Sequence, residues 1–414
     1  MMRYLSMLAF ASMGAVPFGV QAAGYEMDKP PHNYWQRTPA DRFAKLRAGL
    51  ASGSVVLEAS SERAYLVSLL RELGISPASQ MLVFSTTSLQ LRLISPRNPR
   101  AIYFNEDVYI GFIPGGRIEV VAVDPELGGI FYIFDIPPVG GSPRIERATR
   151  CMNCHAGEET GRVPGLLIKS VVPGPSGGSL KAFRQELMGH AVPLAQRFGG
   201  WHVTGAGDFT NHWGNLTGRL SPQGLIKIPV HPGDLFSYAR YPVATSDLLA
   251  HLLHEHQAGF VNRAIEATYR TRAHLDADKG RLTAAHAADL DQQARALTRY
   301  LLFADEVLLP AGGVTGDAVL KADFLQNRRA TRTGAALKDL DLRTRLFKHR
   351  CSYMIYSAAF QGLPAEMKGR VYGLLAKALA TEKPAAEYAY LPAAEKQAIR
   401  QILRETLADL PGGW

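Results

Sequence analysis

Residues 151–155 read Cys-Met-Asn-Cys-His, and this pentapeptide restricts the possible folds more than any other stretch. The chain must turn tightly there, present both thiols to one side and bring an imidazole under the same group. In a Cys-x-x-Cys-His sequence the thiols add across two haem vinyl groups and the adjacent imidazole coordinates the iron from one face. Two intervening residues let Cys151 and Cys154 reach vinyls on one porphyrin edge, while His155 turns beneath the ring. The expectation is one covalent haem c with His155 as the proximal iron ligand. Thioredoxin-like redox pairs and halves of zinc sites share the Cys-x-x-Cys spelling, and chance also produces it. The compartment bears on which reading holds.

The first residues address the compartment. Arg3 supplies a small positive region, Leu5 to Val20 is mostly apolar and small, and Val20-Gln21-Ala22 fits a small-x-small cleavage pattern. Residues 1–22 are therefore expected to be a secretory signal peptide, with the mature chain beginning near Ala23. No later stretch offers about 20 uninterrupted apolar residues, so no transmembrane segment is expected in the mature chain. Haem c is attached outside the bacterial cytoplasmic membrane, so leader and motif support each other and point to the periplasm. Of three cysteines, two belong to the motif, which leaves Cys351 alone and disulfides without a part in the fold. The formal net charge of +9 suits an acidic redox partner. Nucleic acid is not expected, because the basic residues are interleaved with apolar ones rather than run together.

Periodicity suggests an α+β protein. A Pro- and aromatic-rich arm over 24–37 precedes helical patterns at 40–50 and 61–73, the second capped by Ser61 and stopped by Gly74. From Ala101 the pattern changes to β-branched and aromatic runs at 102–104, 108–113, 118–123 and 130–136, broken by turn chemistry at Pro114-Gly115-Gly116 and 125–129. This predicts an antiparallel meander that delivers the chain to the haem motif, with another strand within 163–172. Residues 199–215 form a Gly-, Trp-, His- and Asn-rich loop of the kind that brings backbone close to a ligand. Beyond Thr245 the chain reads as helix: a long one capped by Ser246, one at 284–303 capped by Thr283, and others near 340–361, 364–380 and 392–407. The expected organisation is a mixed haem-bearing domain at 23–240 and a helical domain at 241–414 packed against it.

The series Ile94-Ser95-Pro96-Arg97, Val163-Pro164-Gly165, Gly200-Trp201-His202-Val203-Thr204-Gly205, His212-Trp213-Gly214-Asn215, Glu255-His256-Gln257 and Cys351-Ser352-Tyr353-Met354-Ile355-Tyr356-Ser357 resembles a family of exported bacterial proteins with one haem c motif. The likeness runs over most of the mature chain and departs from the family pattern at His202, Ala206-Gly207 and Trp213. It implies that the haem and the helical half form one unit, and it implies no reaction.

The other face of the iron decides the class of function. A His or Met ligand gives a low-spin electron carrier; an open position admits peroxide, oxygen or nitrogen-oxide chemistry. Candidates are Met188, His212 in the Gly-rich loop, and His256, which points inward from the apolar stripe of Leu249, Leu252, Leu253, Phe260 and Ile265. His251 and His254 are expected at the surface or packed singly, Glu255 in solvent, and Cys351 as a buried inert thiol. The leading expectation is periplasmic one-electron transfer. A peroxidase- or oxygenase-like oxidoreductase acting on a small-molecule substrate and a haem-based gas-binding module are the alternatives.

Overall fold

Residues 26–182, 188–382 and 385–414 are described by the computed structural model of the protein; the leader expected at 1–22 lies outside them. Two helices come first, α1 (Arg42–Ser52) and α2 (Glu62–Leu73). The Ser61 side chain caps α2 by accepting from Ala64 N–H, and Gly74 closes it at φ 63°, in the left-handed region that favours glycine. The chain then enters strands β1 (Met81–Val83), β2 (Arg100–Phe104), β3 (Val108–Phe112), β4 (Ile118–Asp124), β5 (Gly128–Phe134) and β6 (Glu146–Arg147). The four runs between Arg100 and Phe134 pair consecutively and antiparallel, as their turn chemistry predicts.

Helix α3 (Met152–His155) follows, then strands β7 (Val171–Pro173), β8 (Ser179–Ala182), β9 (Trp201–His202), β10 (Leu216–Ser221) and β11 (Gly224–Pro229). The expected strand within 163–172 shrinks to β7, because residues 163–166 bond instead to the motif and to a later helix. Part of the expected Gly-rich loop is a strand: β9 pairs antiparallel with β1 and makes a seven-stranded sheet of order β6-β5-β4-β3-β2-β1-β9. The remaining helices are α4 (Leu248–Ala277), α5 (Ala284–Leu301), α6 (Ala318–Leu325), α7 (Ala358–Gln361), α8 (Ala365–Ala378) and α9 (Ala393–Thr406). The protein is therefore mixed α and β, and among the described residues no helix is long and apolar enough to cross a membrane.

Registers give the sheet two unlike faces, because side chains alternate along each strand. One face carries Tyr103, Ile110, Val120, Tyr132 and Phe134 and packs against Phe43, Leu46, Leu66 and Leu69 of α1 and α2. The opposite face presents Arg100 and Ile102, Tyr109 and Gly111, Glu119 and Val121, then Phe131 and Ile133. Across it runs α4, thirty residues long and capped by Asp247, whose side chain accepts from Leu249 N–H. Ser246, expected as the cap, instead donates to His202 O at 2.7 Å and accepts from Leu82 N–H at 2.9 Å, tying α4 to the sheet edge.

Two helix expectations change. Residues 340–352 are not helical, and Tyr353–Tyr356 is a single turn of 3-10 helix: Asp341 Oδ1 accepts from Arg343 N–H at 2.8 Å, Leu342 sits at φ 60°, and Leu340 bridges to Phe347, so a side-chain-stabilised turn replaces the start of the expected helix. Along α4, Glu255 is buried rather than solvent-facing, and of the two outcomes expected for His251 and His254 each is packed, His251 on Phe198 and Trp201 and His254 on Phe104 and Tyr109, because the helix is covered by the sheet, by residues 164–170 and by α5 together.

Candidate functional site

The motif begins as a turn of 3-10 helix at Thr149–Cys151 and continues into α3. Residues three apart on a helix share a face, which brings the Cys151 and Cys154 side chains to one side. Cys151 is half-buried, packed with Met152 and Val121 against Phe131, Ile133 and Ala148, whereas Cys154 is exposed; neither is in a disulfide. Burial first, and then the Glu119 charge, push the Cys151 thiol up to about 11. Among the described residues no cluster of three or more His, Cys, Asp or Glu side chains is arranged to hold a metal ion.

His155 is held from several sides. Its Nδ1 lies 2.9 Å from Gly165 O, and Gly165 N–H donates back to His155 O at 2.9 Å. A carbonyl only accepts, so Nδ1 carries the proton and the lone pair resides on Nε2. The ring packs against Phe131 with centroids 4.7 Å apart, and burial holds it below the ordinary imidazole range, favouring the neutral form. The holding segment is itself clamped. Asn262 on α4 accepts from Leu166 N–H at 2.7 Å and donates to Leu166 O at 2.8 Å, and Gly129 N–H donates to Pro164 O at 2.8 Å. A Cβ at position 165 would stand 2.5 Å from Asn262 Oδ1, so this close approach requires glycine.

The other predicted residues stand elsewhere. His256 is fully buried with both nitrogens engaged, Nδ1 at 2.8 Å from His190 Nδ1 and Nε2 at 2.7 Å from Ser352 Oγ. His212 accepts from Gly214 N–H through Nδ1 at 2.9 Å, and its ring meets Phe198 and Phe209. Met188 lines a cleft of about 540 Å³ together with Glu159, Leu166, Ile168, Glu255 and Gly259. Thus Met188 shares a cleft with the chain just past the motif, while His256 belongs to a separate hydrogen-bonded group. Cys351 is buried, its thiol pushed up to about 12 by that burial.

Sequence reading missed His190, the Glu255–Arg197 ion pair at 3.1 Å, and Arg100 and Glu119, which pair at 2.7 Å on the sheet face beneath the motif. A charged residue inside a β-branched run, as in Ile118-Glu119-Val120-Val121, was the available signal for the last. In comparisons with known proteins, no family model, no curated protein and no solved structure matches the chain.

Proposed function

We propose that Cys151, Cys154 and His155 hold one haem c and that the chain is an exported one-electron carrier. The observation that carries this is the His155 ring, with Nδ1–H spent on Gly165 O and the Nε2 lone pair left for iron. Metal-bound histidines are oriented in this way by a hydrogen bond at the second nitrogen. The thiols fit the same group: two unpaired cysteines on one side of a helical turn, beside an apolar face of Phe131, Ile133 and Val121. A bound haem supplies a one-electron ferric–ferrous couple.

The chain's own residues do the rest. Gly165 and Asn262 keep the imidazole oriented, so no reorganisation of that ligand accompanies a change of charge. Phe131 and Ile133 exclude water from one side, and the exposure of Cys154 puts the attached edge within reach of a redox partner at the surface. The net charge, +9 for the full chain, favours an acidic partner, and the leader expected at 1–22 supports the periplasm as the place where they meet. The expected 23–240 and 241–414 halves act as one unit, since one core cluster runs from Ala78 to Leu407.

A second reading, an oxidoreductase with a small-molecule substrate, is favoured by the Glu159–Met188–Glu255 cleft beside the motif. Haem staining of the wild type and of Cys151→Ser/Cys154→Ser on a denaturing gel tests attachment. The wild-type band stains and the variant band does not; an unstained wild type refutes attachment. Carbon monoxide then separates the two readings: an unchanged ferrous spectrum supports the carrier, and a shifted one supports the enzyme.

A further inference from the structure

We infer that the Arg100–Glu119 ion pair sets the reduction potential of the group held at residues 151–155, an inference that rests on the haem reading above. The pair is built into the sheet. Gly111 on β3 pairs with Ile102 on β2 and Glu119 on β4, and Glu119 pairs with Ile133 on β5. Arg100 crosses β3 at Gly111, where a Cβ would stand 2.7 Å from Nη2 and 2.9 Å from Nε; glycine leaves the guanidinium a path to Glu119 Oε2 at 2.7 Å. Glu119 Oε1 is fixed by Ser88 Oγ–H at 2.7 Å and Gln90 Nε2–H at 3.0 Å.

The pair lies directly beside the motif's seat, since Ile133, Phe131 and Val121, the neighbours of Glu119 on this face, are the residues against which Cys151 packs. Side-chain exposures are 19% and 16%, so water screens these charges only in part. Stability does not require such a pair on an otherwise apolar face, because well-packed apolar residues generally serve at least as well.

Reduction adds one electron, delivered by a redox partner or a chemical reductant, and takes ferric to ferrous iron with no bond made or broken. A nearby cation favours the ferrous state and raises the potential; a nearby anion lowers it. Glu119→Gln leaves Arg100 unopposed and shifts the midpoint upward. Arg100→Gln, titrated at alkaline pH so that Glu119 stays ionised, shifts it downward. The double variant falls between them, and Arg100→Lys, which keeps the charge, stays near the wild type. Spectroscopic redox titration of the haem-loaded proteins measures all four. Opposite shifts in the two single variants support the inference; shifts of one sign, or none, overturn it. Should Arg100→Gln fail to fold, an upward shift in Glu119→Gln with Arg100→Lys unchanged supports it, and any other pattern overturns it. A wild type that carries no covalent haem refutes the attachment itself, whereas attached haem with an unresponsive potential refutes only the role of the pair.

Discussion

His155 and His256 are both hydrogen-bonded imidazoles packed against aromatic rings, yet they differ in how many ring nitrogens are committed to hydrogen bonds. His155 spends one nitrogen on a carbonyl and sits half-buried near exposed Cys154. His256 spends both nitrogens, on His190 and Ser352, stacks on Phe303 with centroids 4.6 Å apart, and is fully buried. The lesson is that burial and an inward-facing position do not make a ligand; an uncommitted lone pair does. At His256 iron would have to displace one of these hydrogen bonds, with a net worth of about 1 kcal/mol, and leave a buried partner unsatisfied at about 1–3 kcal/mol.

Four substitutions or conditions break or sharpen that contrast. The largest effect is expected from His155→Ala, which abolishes the axial ligand: the reduced haem spectrum changes form entirely, whereas His256→Ala leaves it unaltered. Matching spectra from the two variants would end the distinction. Acid comes next. Burial lowers His251, His254 and His256 each to about 3, so they are neutral in the fold while their unfolded counterparts titrate near the ordinary value of 6.5. Their contribution is complete above about pH 6.5 and is lost as pH falls toward 3, at about 1.4 kcal/mol per pH unit for each. Glu255, pushed up to about 7 by burial, acts in the reverse sense between 4.5 and 7 and offsets one of the three there. Urea unfolding at pH 7 and pH 5 should show a net loss of several kcal/mol.

His256→Ala should itself lower stability by about 2–4 kcal/mol, through a buried cavity and the hydrogen bonds lost to His190 and Ser352, as read in urea at neutral pH. The smallest effect is expected from Asn262→Ala. It removes two bonds to the Leu166 backbone, costs about 1–3 kcal/mol, and loosens the Gly165 carbonyl, so the haem bands broaden without loss of attachment. Unbroadened bands would remove Asn262 from the positioning of His155.

The strands were legible because Ile, Val, Tyr and Phe alternate between clear turn signals, and the caps at Ser61 and Thr283 because a hydroxyl there meets an orphan N–H. The stretch from 340 to 352 misled because its apolar–charged alternation also suits a helix face, and the Asp341 turn that decided the matter is a local side-chain bond. Glu255 was misplaced because an amphipathic stripe assumes one covered face, and α4 is covered by sheet, loop and helix at once. The pentapeptide itself names the three residues on which the haem proposal rests. Gly165 and Asn262 were not readable from it, since their role depends on residues 10 and 107 positions away meeting in space. The Arg100–Glu119 pair was hidden for the same reason, being set by strand register rather than by spacing.

Covalent haem at Cys151 and Cys154 is decided by the intact mass of the exported protein after acid-acetone extraction under denaturing conditions. The expected result is a polypeptide heavier by one haem, with the colour retained in the protein pellet and the extra mass absent from Cys151→Ser/Cys154→Ser. A bare polypeptide mass, with all colour in the acetone or none at all, would contradict it.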